Sequence, residues 1–562
     1  MGDDVDNVRL ELVWPNKDKF LLSPTGNQGK PIWVGRDHPA AREVRLTEYS
    51  DSFGAVNEKT PASDNLLFLG DSLDALRVLT ESPEFRREYR GKVKLIYCDP
   101  PFNTGQTFEH YDDWMEHSTW LSFMLDRLNM MKDLLAPDGS IWIHLDDAEQ
   151  HRMRMLMDEV FGSGNFVANF IWEKKKKPSF LHRQVATVTD TIMVYAKSRP
   201  NLESFTYGGS TENKGIPFHN TGNAFGEMTF PEGSVTFTLP DQTVSAGDMS
   251  TATVRTALLD DVTIVDGTNA NAFRMNGEWR YSQAAVDELV AAGETIRISR
   301  PQFRPNYIRQ EALAKKITNL FSFRVNDIGT NEDAKAECVA LFGAEGVFDT
   351  PKPESLLARI ISVATSTGDI VMDFFGGSGT TAAVAHKMKR RWVTVELSPN
   401  NVEKFTKKRL QKVVSGEDKG GVSTEFEWTG GGGFRKVDIQ NSFYVVTPLG
   451  VLLAEDAVGE RFARAVAGQL GFDWAPTSIS ICGQRGRMRL AVFDGAIGIE
   501  EVTQVLSELG EHERVLIVGH SILEGAEEWL TKNSPGSAFW RAPTDILRER
   551  KRRNRPTIGG VQ

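Results

Sequence analysis

An apolar run, Val93-Lys94-Leu95-Ile96-Tyr97-Cys98, stops abruptly at Asp99-Pro100-Pro101-Phe102. A short run with so little polarity fits a strand buried on both faces, which belongs to a parallel α/β sheet. The prolines cannot continue the ladder, because they have no N–H to donate. They set a stiff lip at the carboxyl end of the strand, the edge at which open α/β sheets bind ligands. The lip also carries chemistry. The Asp99 carboxylate can accept one hydrogen of a planar amino group, and the Pro100 carbonyl can accept the other. The Phe102 ring can stack on the face of an aromatic base. An ordinary strand-to-turn corner has a similar composition. The tetrapeptide therefore gains its meaning from a second site.

That site lies far downstream. Ile370-Val371-Met372-Asp373-Phe374-Phe375 is another apolar strand, followed by Gly376-Gly377-Ser378-Gly379 and by a helix start over 380–387. Glycines there let the backbone approach a ligand, and a helix N-terminus offers N–H groups to a carboxylate. A further strand, Trp392-Val393-Thr394-Val395-Glu396, ends in an acid at the spacing expected for a carboxylate on ribose hydroxyls. The Asp373-x-Phe375-x-Gly377-x-Gly379 pattern departs from the nicotinamide-dinucleotide fingerprint. It looks like the S-adenosylmethionine loop of methyltransferases.

With both motifs in this order, the chain resembles the beta class of DNA amino-methyltransferases, in which the catalytic motif precedes the cofactor motif. Within that class it looks most like the modification subunit of type III restriction-modification systems. The resemblance covers roughly residues 60–440. It also rests on Asn65-Leu66-Leu67-Phe68-Leu69-Gly70-Asp71-Ser72-Leu73, on Gly139-Ser140-Ile141-Trp142-Ile143, on Asp349-Thr350-Pro351-Lys352-Pro353-Glu354 and on Trp428-Thr429-Gly430-Gly431-Gly432-Gly433-Phe434. Phe102 departs from the family, which more often has tyrosine there; stacking survives the change and a hydroxyl is lost.

The resemblance implies an α/β fold: a Rossmann-like methyltransferase sheet with an inserted target-recognition region and a C-terminal α/β accessory domain. It implies methyl transfer from S-adenosylmethionine to the N6 amine of an adenine flipped out of double-stranded DNA. Asp99, Pro100, Pro101 and Phe102 would form the catalytic lip. Asp71 and Glu396 would bind the adenosine part of the cofactor, with Lys352 and Pro353 around the methionine part. Asp373, Phe375, Gly377, Ser378, Gly379 and Thr380 supply the loop. The family also implies a homodimer and a helicase-nuclease or other defence subunit as partner. Three alternatives stay open: the same reaction on the cytosine N4 amine, a DNA-recognition subunit serving mainly as specificity platform for a nuclease, and methylation of a protein glutamine, whose motif usually opens with asparagine.

Composition bounds the rest. A chain of 562 residues is too long for one core, so two to four domains are expected. The expected division is an N-terminal extension (1–60), a catalytic half (61–200), a target-recognition insertion (201–345), a cofactor half (346–415), a Gly-rich linker (416–440) and a C-terminal module (441–562). Three cysteines without zinc-ligand spacing fit a reduced cytoplasm, and neither a metal site nor a membrane-spanning run is apparent. A net charge of −11 argues against nucleic acid globally, yet a local basic groove suffices to neutralise phosphates. Candidates are Lys174, Lys175, Lys176 and Lys177, and the aromatic-interleaved Arg297, Arg300, Arg304 and Arg309. Gly519-His520-Ser521 is not a hydrolase elbow, because position 523 is Leu where that motif needs glycine.

Overall fold

The computed structural model describes residues 11–23, 31–38, 41–104, 115–178, 184–210, 215–308, 314–343, 348–447 and 450–542. The chain divides into two units, one of residues 1–203 with 318–562 and one of residues 204–317.

A ten-stranded sheet organises the first unit. Its strands in chain order are β1 (Thr47–Gly54), β2 (Asn65–Leu69), β3 (Val93–Cys98), β4 (Leu135–Leu145) and β5 (Phe166–Glu173), then β6 (Thr189–Ala196), β7 (Leu320–Phe321), β8 (Ile370–Asp373), β9 (Arg391–Glu396) and β10 (Gly433–Ile439). Across the sheet they run β7-β5-β6-β4-β3-β8-β9-β2-β10-β1. The centre, from β4 to β10, is parallel. Its strands are nearly continuous in apolar residues, as burial on both faces demands. Leu66, Phe68, Ile96 and Cys98 share one core with helices Ser72–Glu81, His117–Leu134 and Gln150–Phe161. Helices Glu354–Ala364 and Thr380–Lys387 pack against β3, β8 and β9.

The strand–helix alternation predicts a parallel sheet, and the outer strands depart from it. β6 runs antiparallel to both β4 and β5, and β1 runs antiparallel to β10. Among the described residues between β5 and β6 there is no helix, and consecutive strands without a helical crossover usually pair antiparallel.

Residues 1–60 are more than an extension, since β1 is the edge of the main sheet. The described residues 11–14 form no strand. Trp14 is buried instead, and its indole N–H donates to Ser122 Oγ at 2.7 Å. The Gly-rich stretch 416–440 differs from the linker expected of it. It ends in β10, inside the sheet, and a Cβ on Gly433 would lie 2.4 Å from the Ala55 carbonyl oxygen. Close packing of backbone, rather than chain flexibility, accounts for glycine there.

The inserted unit ends earlier than its composition suggests. β7 extends the main sheet, and helix Asn331–Phe342, closed at its start by a Thr330–Asp333 capping box, belongs to the first unit. Residues 204–317 contain a seven-stranded and a four-stranded sheet over their own core, which includes Phe218, Phe230, Ile264, Phe273 and Ile296.

Beyond β10, strands Met488–Val492, Arg514–Gly519 and Ala538–Arg541 run parallel, with helices Ile499–Ser507 and Ala526–Asn533 between them. This module groups with the first unit. Glu43 accepts the Phe443 N–H at 2.6 Å, and Arg87 pairs with Asp473 at 2.5 Å. The basic run 548–555 lies outside the described residues. Among the described residues no helix is long and apolar enough to cross a membrane, and no cluster of His, Cys, Asp and Glu is arranged to hold a metal.

Candidate active site

The two sequence motifs meet because β3 and β8 are adjacent parallel strands. Leu95 pairs with Val371, Ile96 with Met372 and Tyr97 with Asp373. Asp99 and Phe375 therefore leave the sheet side by side. A small cavity opens there, lined by Tyr97, Asp99, Lys352, Asp373, Gly376 and Gly377 among others.

Asp373 shapes the loop. Its carboxylate accepts the Phe375 N–H at 2.9 Å and the Thr381 hydroxyl at 2.6 Å, tying the strand end to the helix that follows. Burial, with the charges of Asp99 and Glu396 adding to it, pushes the Asp373 carboxyl up to about 7, against these two hydrogen bonds. A Cβ on Gly376 would lie 2.5 Å from Thr394 Oγ1, and Gly377 and Gly379 have φ of +49° and +78°. Such an approach and such angles leave room for glycine and little else. Ser378 and Thr380 are buried, their hydroxyls 3.0 Å apart. Phe375 packs on the core with its ring 6.2 Å from that of Phe123.

Glu396 ends β9 as expected, and its carboxylate accepts the Gly377 N–H at 2.9 Å, the Ser398 N–H at 3.0 Å and the Asn401 amide at 3.2 Å. It holds the loop as well as facing the edge. Asp71 lies at the same edge, where the Gly70 N–H donates to the Glu396 carbonyl at 3.0 Å. Its carboxylate caps helix Ser72–Glu81 through the Leu73 N–H at 2.7 Å and receives the Arg127 guanidinium on both oxygens at 2.9 Å.

The lip is anchored and charged. Pro100 is buried, and the Pro101 carbonyl accepts the Trp120 indole N–H at 2.8 Å. Asp99 Oδ2 pairs with Lys352 Nζ at 2.5 Å. Asp99 Oδ1 is buried and has no hydrogen-bond partner among the described residues. Leaving a buried acceptor unpaired costs roughly 1–3 kcal/mol, so the atom has capacity for a further donor. Lys352 Nζ also lies 5.3 Å from the centre of the Phe102 ring. The resemblance assigns Lys352 to the methionine part of a cofactor; its ammonium instead faces the carboxylate and ring of the lip. Pro353 is buried and precedes helix Glu354–Ala364 as its cap.

Two groups here carry no motif signal. His144, fully buried one residue past the Gly139–Ile143 motif, stands behind Phe102 with ring centres 5.8 Å apart. Its Nδ1 is 2.8 Å from the Tyr97 hydroxyl and its Nε2 3.4 Å from Asp190 Oδ2. Burial holds the imidazole below its ordinary range. Arg409, also buried, donates to Thr380 Oγ1 at 2.7 Å and to Glu354 Oε1 at 2.9 Å, bracing the Gly-rich loop from below. A basic residue on an amphipathic helix is ordinarily solvated, so nothing in one sequence marks Arg409 as buried.

Two lysines of the basic run are engaged in ion pairs. Lys174 pairs with Asp190 and Lys176 with Asp333, each at 2.5 Å. Both neutralise carboxylates of neighbouring segments; Lys175 is half-buried and Lys177 exposed. In the second unit, Arg300 is exposed and Arg297 half-buried on a strand. Arg304 donates to the Gln302 carbonyl at 2.9 Å and the Met249 carbonyl at 3.2 Å, which makes it a clip between loops. Arg309 lies outside the described residues.

Residues 93–407, which carry both motifs, match the family described as DNA methylase. The chain belongs to the DNA methylase family. It is 29% identical over 422 residues to the probable type III restriction-modification enzyme HindVI Mod subunit of Haemophilus influenzae, covering 67% of this chain and 54% of that protein. It is 33% identical over 353 residues to the type III restriction-modification enzyme StyLTI Mod subunit of Salmonella typhimurium, covering 57% and 49%. The chain thus spans about half the length of these relatives. Among solved structures, PvuII DNA methyltransferase (cytosine-N4-specific) aligns over 62% of this chain and 88% of its own, with 16% identity and a TM-score of 0.33.

One carboxylate near this DNA methylase loop makes stability depend on pH. Glu337 accepts the Glu354 N–H at 3.0 Å. Burial first, then the Glu354 charge, push its carboxyl from 4.5 up to about 7. Between those values the folded state binds its proton more tightly than the unfolded chain does. The stability it contributes therefore falls as pH rises through that window. Thermal melts of Glu337→Gln are expected to lose less Tm than wild type between pH 5 and pH 8, since the amide has no charge to bury. Parallel curves for the two proteins would count against this account.

Proposed function

We propose that this chain transfers a methyl group from S-adenosylmethionine to the exocyclic N6 amine of an adenine flipped out of double-stranded DNA. One observation carries the reading. An acidic, proline-stiffened lip and a Gly-rich loop stand on adjacent parallel strands, with one buried oxygen of Asp99 lacking a donor among the described residues.

The residues fit the cofactor, since the loop glycines leave room where any Cβ would collide or strain. Gly376 to Thr380 would hold the methionine part, with Glu396 and Asp71 at the adenosine side. S-adenosylmethionine supplies a methyl group already activated on a sulfonium. The protein has to orient the acceptor and expose a nitrogen lone pair. That pair is delocalised into the base, and hydrogen bonds from both amino hydrogens to Asp99 Oδ1 and the Pro100 carbonyl favour a more pyramidal nitrogen. Lys352 fixes Oδ2 of Asp99, which leaves Oδ1 facing the acceptor amine. As positive charge develops on the nitrogen, the Asp99 carboxylate stabilises it and takes the departing proton. Phe102 stacks on the flipped base and offsets part of the few kcal/mol that flipping costs.

An aspartate at the head of the lip favours adenine over cytosine, whose enzymes more often open with serine. The likeness to Mod subunits supports a place in a restriction-modification system, as a homodimer alongside a restriction subunit, acting in the cytoplasm. Single-molecule sequencing of host DNA with and without the gene tests the reading: N6-methyladenine in one sequence context is expected. Methyl groups on cytosine alone, or none, would overturn it.

Residues 204–317 are the proposed reader of DNA sequence. Exchanging them for the corresponding unit of a relative with another specificity should move methylation to that relative's sequence, while calorimetric binding of S-adenosylmethionine stays within about threefold. An unchanged methylation context after the exchange would refute this role.

A further inference from the structure

A carboxylate outside every motif braces the catalytic lip. Glu149 precedes helix Gln150–Phe161 and has 0% exposure. Its Oε1 accepts the Asn103 side-chain amide at 2.6 Å and lies 2.5 Å from His117 Nδ1. Its Oε2 accepts from Arg152 at 3.2 Å. Two separate stretches of chain, with Arg152 of the adjoining helix, thus converge on one buried carboxylate.

Asn103 is the residue that connects it to the chemistry. It follows Phe102 directly and adopts φ of +60°, a left-handed conformation that asparagine tolerates better than most side chains. The side chain is buried, and its Oδ1 accepts the Met115 N–H at 2.7 Å, on the far side of residues 105–114. A turn in this conformation does not hold itself, and a side chain pinned at both its oxygen and its nitrogen does hold it. A buried ionised carboxylate is a weak device for stability alone, because its desolvation offsets much of what its partners return. It is a strong device for imposing one geometry.

We propose that Glu149 is a positioning residue: acting through Asn103, it fixes the turn that presents the Phe102 ring to the target base. This rests on the reading of Phe102 as the stacking platform. The sequence shows no sign of it, because an acid at a helix start is ordinarily a solvated residue of the first turn.

A double-variant cycle on the full chain tests the proposal, with methyl transfer, S-adenosylmethionine binding and thermal melting measured for each protein. Glu149→Ala should lower kcat by about 100-fold, the scale of a misplacement of about 1 Å at a reacting group, with cofactor affinity within about threefold. In a Phe102→Ala background the same change should cost less than about threefold, because the ring it positions is gone. Glu149→Gln keeps one acceptor for Asn103 and should recover most of the rate; if Glu149→Ala fails to melt cooperatively, the cycle is run with Asn103→Gly, which tolerates the left-handed φ and removes the link to Glu149. Additive losses in the double variant, or a loss of cofactor binding that parallels the loss of kcat, would overturn the proposal alone. Phe102→Ala at the wild-type rate would overturn the stacking reading and the proposal with it.

Discussion

Asp99→Ala is expected to abolish detectable methyl transfer, a loss of three orders of magnitude or more, while S-adenosylmethionine still binds. The carboxylate holds two positions at once. Oδ2 is fixed by Lys352 at 2.5 Å, and Oδ1 is buried without a partner among the described residues. The first contact aims the second. Removing the side chain removes the acceptor that draws the nitrogen lone pair out of the ring, and with it the group that takes the proton. Losing a preorganised electrostatic partner costs roughly 10²–10³ in rate, and losing an acid–base group roughly 10²–10⁴. The Gly-rich loop is held by Asp373, Glu396 and Arg409, none of which needs Asp99 as a hydrogen-bond partner. Calorimetry with S-adenosylmethionine and a radiolabelled-methyl assay on cognate DNA separate the two effects. Turnover within tenfold of wild type would sink the mechanism.

Gly377→Val is the complementary case, and here binding itself should fail, by about 100-fold or more. Gly377 has φ of +49°, where a β-branched side chain is a severe outlier. Its Cβ would also come within 3.2 Å of the Phe348 ring, which lines the same cavity. The backbone must shift to relieve both, and the shift withdraws the N–H that Gly377 gives to Glu396 at 2.9 Å. Gly377→Ala keeps the unfavourable φ with a smaller side chain and should fall between, since a left-handed non-glycine residue costs roughly 1–2 kcal/mol. Circular dichroism would confirm that both variants are folded. Affinity within threefold of wild type for Gly377→Val would mean that the loop holds something other than the cofactor.

The two changes share a cavity and separate its chemistry. In the proposed reaction Asp99 stands on the acceptor side, next to Phe102, and Gly377 on the donor side, before the helix that starts at Thr380. Adjacent parallel strands β3 and β8 bring both to one cavity although they lie far apart in the chain.

Local patterns determined a good deal of this molecule. The apolar runs of β3 and β8, the prolines after one and the glycines after the other, and the helix over 380–387 are each dictated by residues within a few positions. Unpaired backbone groups and φ preferences act at that range. Their placement in one sheet followed from the same patterns, because buried parallel strands leave few alternatives. Partnership across the fold was decided by tertiary structure alone. Nothing local places the Lys352 ammonium on Asp99, gives Asp71 to Arg127, spends Lys174 on Asp190, or puts Gly433–Ile439 between β2 and β1. A charged side chain takes whichever opposite charge burial brings near it, and burial is a property of the assembled core. The same holds for His144, Arg409 and Glu149, which are ordinary polar residues in the sequence and buried partners of the site once the sheet has closed around them.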